Sequence, residues 1–209
     1  MRTQLSTENG LSTIPRHIHG FALMHVAMRR DARRLVAGAA GVRDGQVDRV
    51  AGWWRQVRAV IDWHHHTEDD ILWPALRAKS PVFAEREQAM HADHIALDEA
   101  MEAVTKALAP GRLLDLAGAA RRFDTVVHAH LRDEEAVVLS AFRDDLSERE
   151  YLAIERRVIA SAPMSVMAFL PPWMLDGADG VGASSMPPPV RLLGTTVLRL
   201  RYHRQWRWW

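Results

Sequence analysis

The chain has 209 residues, 48% of them hydrophobic, with 27 Lys and Arg against 26 Asp and Glu for a net charge of +1. This suits one compact domain with an appendage, and the absence of cysteine excludes disulfides, iron–sulfur clusters, thiolate zinc sites and cysteine nucleophiles. Met1 to Thr7 has no apolar run of the secretory kind, and no stretch approaches the length of a membrane-spanning helix, so a cytoplasmic protein is expected.

Four successive segments place apolar residues at alternating steps of three and four, the pattern of helices that bury one stripe in a bundle. The first stripe is Ile18, Phe21, His25, Met28, Ala32 and Leu35, ending near Gly38 and Gly41. The second runs through Val50, Trp54, Val57, Ile61, His64, Glu68 and Ile71 to a break at Ser80-Pro81. Phe83, Glu87, Met90, His94, Leu97, Met101, Val104 and Leu108 form the third, which stops at Pro110-Gly111. Phe123, Val127, His130, Glu134, Val137 and Ala141 form the fourth. Each stripe contains a histidine, and the second and fourth also contain a glutamate four residues later, one helical turn away on the same face.

Counting from the turns sets the height of these groups. From Ser80-Pro81, His64 to Glu68 lies roughly 12 to 16 residues back and His94 about 14 forward, each about 20 Å of helix at 1.5 Å per residue. Similar counts hold around the other two turns. An all-α, up-down-up-down four-helix bundle therefore brings His25, His64, Glu68, His94, His130 and Glu134 into one layer. Burying them without a partner would cost about 1–3 kcal/mol per polar group, so a bound metal is expected, and mixed imidazole and carboxylate ligation without thiolate suits Fe or Mn better than structural zinc.

The bundle is expected over 14–160, with a short fifth helix from Ser147, where Glu150 completes a capping-box pattern, to about Ala160. Residues 161–209 read as a Pro/Gly-rich linker and an irregular basic tail. Pro187 to Trp209 holds five arginines and no acidic residue, which, taken from the net +1, leaves about −4 on the body. With Leu193, Val197 and Leu200 on one face and Trp206, Trp208 and Trp209 at the end, this tail either forms a short amphipathic helix that lies peripherally on an anionic membrane, or folds back on the body or pairs two subunits. No nucleic-acid partner is expected, because the body lacks a basic face.

The order histidine, His-x-x-x-Glu, histidine, His-x-x-x-Glu, with His64-His65, Glu68-Asp69 and Leu72-Trp73-Pro74 on helix two and His130-Leu131 and Glu134-Glu135 on helix four, resembles the hemerythrin-like, or HHE cation-binding, family over roughly Ile14 to Asp144. Pro171-Pro172-Trp173 and Pro187-Pro188-Pro189 resemble the tails of actinobacterial members. The resemblance implies a di-iron site, two Fe ions bridged by oxo and carboxylate groups with at least one open position, and the ligands His25, His64, Glu68, His94, His130 and Glu134. It also implies a small-molecule ligand: O2, H2O2 or NO. Catalase- or peroxidase-like turnover, or sensing without turnover, would both use such a site.

The chain departs from the oxygen-carrying hemerythrins in two places. They carry a fifth histidine where this chain has Met90, and an aspartate at a five-residue spacing on helix four where this chain has Glu134 at four. Both departures count against reversible oxygen transport. His91 either turns inward to take the missing position or sits at the edge of the seam. His17, His19, His65, His66, His128 and His203 are mostly placed off the seam, in surface or supporting roles. Asp69, Asp133 and Glu135 either orient ligand imidazoles or are solvated charges. Trp53, Trp54, Trp63 and Trp73 are expected to pack in the core and at its edge. Tyr151 and Tyr202 are placed outside the bundle core.

Overall fold

The computed structural model describes residues 4–176, 178, 180–186, 188–205 and 208. Among them there are helices and no strand, an all-α bundle. Three short 3₁₀ turns, at Thr7–Asn9, Leu11–Thr13 and Arg16–Ile18, lead into α1 (His19–Ala39), which buries Phe21, His25, Met28, Ala32 and Leu35. Helix α2 (Val47–Thr67) passes directly into a π-helical turn, Glu68–Leu72, and then into α3 (Trp73–Arg77). Helix α4 (Pro81–Ala107) starts where Ser80 accepts a hydrogen bond from the Phe83 N–H and Pro81 supplies a pre-set φ. Gly111, at φ +78°, makes the turn into α5 (Leu113–Asp144). The expected fifth helix is α6 (Glu148–Ser161), capped by reciprocal bonds between Ser147 and Glu150.

Helix α5 packs along α4 and α1, and α4 also meets α2. Large side chains fill the space between them: Trp53, Trp54, Trp73, Phe83, Phe123 and Phe142 are all nearly inaccessible. Trp54 meets Phe123 edge to face at 5.1 Å and donates its indole N–H to Thr105 at 2.9 Å, so its one polar atom is satisfied inside the core. Burial of side chains this size, at about 1.5–3 kcal/mol each, offsets the cost of placing a polar layer in the middle of the bundle.

The described residues beyond 161 are mostly helical, not irregular as expected. They form α7 (Met164–Leu175), α8 (Gly180–Ser185), α9 (Pro188–Thr195) and α10 (Val197–Gln205). Helix α7 stays helical through Pro171 and Pro172 because it is almost wholly apolar and buries Val166, Phe169, Leu170, Trp173 and Met174. That burial outweighs the helix-breaking effect of the prolines. The segment is tied back to α1: the Trp173 indole N–H donates to Asp31 at 2.7 Å, and Arg34 donates to the Asp176 carboxylate at 2.6 Å. Arg30 donates to the carbonyls of Trp173 and Asp176. Tyr202 of α10 is buried and donates to Asp176 at 3.2 Å.

On the outer side, Leu192, Val197 and Leu200 are exposed. Trp208 lies 5.5 Å from Trp53, ring to ring, and over Gly38, where a Cβ would come within 2.5 Å of the indole. Trp206, Trp209 and the side chain of Leu193, on which the expected membrane-facing surface partly rests, lie outside the described residues. Among the described residues no helix is long and apolar enough to cross a membrane.

Candidate metal centre

Four helices contribute one polar layer. From α1 comes His25, from the end of α2 His64 and His65, from the π turn Glu68, from α4 His94, and from α5 His130 and Glu134, each no more than 7% exposed. The six residues expected from the sequence do meet, and His65 joins them.

The donor atoms fall into two groups. His25, His64, Glu68 and Glu134 each offer a ligand atom within 4.8 Å of the others, and so do His65, His94 and His130. The two carboxylates join the groups. Glu68 Oε1 lies 3.0 Å from His64 Nε2, while Oε2 lies 3.5 Å from His94 Nε2. Glu134 Oε1 lies 3.6 Å from His25 Nε2, while one of its oxygens, Oε2, lies 3.1 Å from His130 Nε2. His25 Nε2 and His64 Nε2 face each other at 3.3 Å.

His65 was expected off the seam, and the structure corrects this. It is buried, its ring stacks on His94 at 4.2 Å and it meets the ring of His130 edge-on at 5.3 Å. Glu68 is four residues from His64 and three from His65, and both spacings share a helical face. Two adjacent imidazoles can therefore flank one carboxylate, His64 reaching toward α1 and His65 toward α4 and α5. The π turn beginning at Glu68 widens the helix there, its N–H reaching the carbonyls of both His64 and His65. The run of three histidines before Glu68 was the available signal. His91 does not turn inward: its ring is 66% exposed and its Nδ1 lies 3.6 Å from Asp69.

Behind the layer, Glu135 receives His25 Nδ1–H at 3.0 Å, which leaves Nε2 aimed at the centre. The same carboxylate accepts from Arg29 at 2.6 Å, from the Thr7 hydroxyl at 2.8 Å, the Thr7 backbone N–H at 3.0 Å and the Ser6 hydroxyl at 2.9 Å. Asp69 approaches His94 Nδ1 at 3.4 Å. Asp133 pairs with exposed Arg132 and takes no part. Of the remaining histidines, His19 bonds the Ile14 carbonyl at 2.8 Å, and His66 and His128 bond carbonyls one turn back on their own helices. Tyr151 is buried against Phe142, whose ring touches Phe21, which in turn packs on His25.

The electrostatics divide the imidazoles. Burial pushes His65 well below its ordinary value, and the neighbouring His94 reinforces this, so its ring is held in the neutral form, the form in which an imidazole can ligate a metal. Burial opposes charge on His94 as well, but Glu68, Glu134 and Asp69 raise it to about 9. His25 is also raised, burial being overcome by Glu134, Glu135 and Glu68. Burial would raise Glu68, but the adjacent His64, His94 and His65 hold it well below the usual carboxylate range.

Both oxygens of Glu68, both of Glu134, both ring nitrogens of His94 and of His130, and Nε2 of His65 are buried without a hydrogen-bond partner. Polar atoms so converged and unsatisfied in a core are costly unless an ion takes them. The donors are imidazole nitrogens and carboxylate oxygens, a set that fits iron.

An α-helical bundle with this layer is a cation-binding scaffold. The hemerythrin HHE cation binding domain matches residues 16–142, and the chain belongs to that family. Comparison with curated proteins and with solved structures gave no match.

Proposed function

We propose that the chain is a non-haem di-iron protein of the hemerythrin type that reacts with a small oxidant, O2, H2O2 or NO. One iron would be held by His25 and His64, the other by His65, His94 and His130, and Glu68 and Glu134 would bridge them. The observation that carries this is the division of each carboxylate between the two histidine groups. Nine donor atoms against about twelve positions of two six-coordinate ions leave room for exogenous ligands. Bound iron would supply the redox change and the open coordination.

The chain supplies the rest. Glu135 keeps the proton on His25 Nδ1 and so fixes the tautomer that presents Nε2. His94, Asp69 and exposed His91 form a line from the layer to solvent, with separations of 3.4 and 3.6 Å, along which a proton can be passed. Phe21, buried with its ring 4.4 Å from His25 and 5.4 Å from His64, covers one side of the layer with an apolar face.

The test is peroxide or nitric oxide added to iron-loaded protein, followed by near-ultraviolet absorbance and by turnover. A ligand-dependent absorbance change, with turnover above that of free iron, is expected for an oxidoreductase. A spectral change without turnover would favour a sensor, a reading supported by the docking of α7 on α1, the helix that carries His25, with α10 held in turn to Asp176 at the end of α7. No spectral response to either oxidant would overturn both.

A further inference from the structure

Beside the metal layer is a second space with no role in the chemistry above. A cavity of about 400 Å³ lies between α1 and α2 on one side and α6, α7 and the end of α8 on the other. His64 and Phe21 form its inner wall. More than half of the lining comes from residues after 142, outside the part of the chain that the family match covers.

Size and lining indicate what it takes. Small-molecule sites span about 300–1,000 Å³, and a diatomic gas or peroxide would leave most of this space empty. At about 30 Å³ per water, it has room for on the order of a dozen non-hydrogen atoms. The wall is apolar and adaptable, with Met24, Leu170, Met174 and Met186 among its residues.

The polar groups are few. Arg16 is engaged with the Ser184 carbonyl, and Glu148 lies at the start of α6. His17 Nε2 is buried with no partner. The Glu155 carboxyl has no hydrogen bond or ion pair among the described residues and lies against the α1 backbone, where a Cβ on Gly20 would come within 2.6 Å of Oε1. An acceptor left free on an apolar wall is suited to a ligand that brings a donor.

We propose that this chamber binds a compact apolar organic molecule carrying a hydroxyl or amine, the donor group on Glu155 and the apolar body against Phe21 and the methionines, next to His64. The inference goes beyond the metal reading and stands without it, since no metal is needed for binding.

The test is calorimetric titration of metal-free, full-length protein with 2-naphthol, 2-naphthylamine, naphthalene and 2-naphthoate, which share one ring body. The naphthol and the amine should bind at least about tenfold more tightly than the naphthoate, about 1.4 kcal/mol, with naphthalene between them. Glu155→Gln should remove that discrimination. Leu170→Trp, with unchanged helicity, should abolish binding of all four. Equal affinities across the series, or binding that survives both substitutions, would overturn the proposal. Iron content of the same variants should be unaltered, so the outcome here and that of the di-iron reading are separate.

Discussion

Glu68 and Glu134 face each other across the bundle in the same way, each with one oxygen toward His25 or His64 and the other toward His94 or His130, at 3.0 to 3.6 Å. Neither carboxylate belongs to one histidine group alone. The groups are therefore coupled through two side chains, one from the π turn after α2 and one from α5.

Substitution of a shared carboxylate should thus affect both halves of the site. Glu68→Ala is expected to lower iron content to well under one per chain, not merely to halve it. Elemental analysis after reconstitution checks this; retention of one tightly held iron would show that the carboxylate serves a single ion.

His65 and His91 give opposite expectations. His65→Ala removes one of three imidazoles from one side, and iron content is expected to fall toward one per chain. His91→Ala, at an exposed ring, should leave iron content unchanged. The reverse pattern would mean that His91, as the sequence alone allowed, is the fifth imidazole.

Glu135 has no exposed side-chain surface and partners Arg29, which is itself nearly buried. Its replacement by alanine strands that guanidinium, and loss of one partner of a buried pair costs about 3–5 kcal/mol. Urea denaturation of metal-free Glu135→Ala should show a loss of this size. Because the variant also frees His25 Nδ1, iron affinity should drop about 10–100-fold. An unchanged midpoint would show that water or another acceptor replaces the carboxylate.

Asp176 accepts from Arg34 of α1 and Tyr202 of α10, so its charge is expected to set the pH response of the C-terminal helices. Burial would raise its pKa, but Arg34, Arg30 and the Tyr202 hydroxyl hold it below the ordinary value. A carboxyl depressed in the folded state contributes stability in full above its unfolded value, about 3.9, and loses it as pH falls through the lower folded value. Undocking of α10 is therefore expected only on acidification below about 4. Limited proteolysis after 176 should stay slow from pH 7 down to that range and then accelerate. Asp176→Asn should show fast cleavage at neutral pH.

Much of the bundle was legible because each long helix advertises its buried stripe and its ends. Ser80-Pro81, Pro110-Gly111 and the Ser147/Glu150 box all mark real boundaries. The meeting of His25, His64, Glu68, His94, His130 and Glu134 was legible from helix heights alone, because straight helices joined by short turns leave little freedom in level. His65 was missed because a regular 3.6-residue stripe assigns adjacent residues to different faces, so His64, four residues from Glu68, masks His65, three residues from it. Helix α7 was missed for a different reason. Pro171 and Pro172 are local breakers, and only their burial on α1 and α2 explains why α7 continues through them. The supporting contacts of Ser6 and Thr7 with Glu135 span about 130 positions of chain, and no local pattern encodes them.

Two irons held by seven side chains and bridged by Glu68 and Glu134 would be magnetically coupled. The most direct measurement is Mössbauer spectroscopy, with elemental analysis, of protein reconstituted with ⁵⁷Fe. About two irons per chain with a diamagnetic, spin-coupled ferric ground state are expected. A single iron per chain with paramagnetic, uncoupled spectra, or a site that takes zinc and excludes iron, would rule out a di-iron centre.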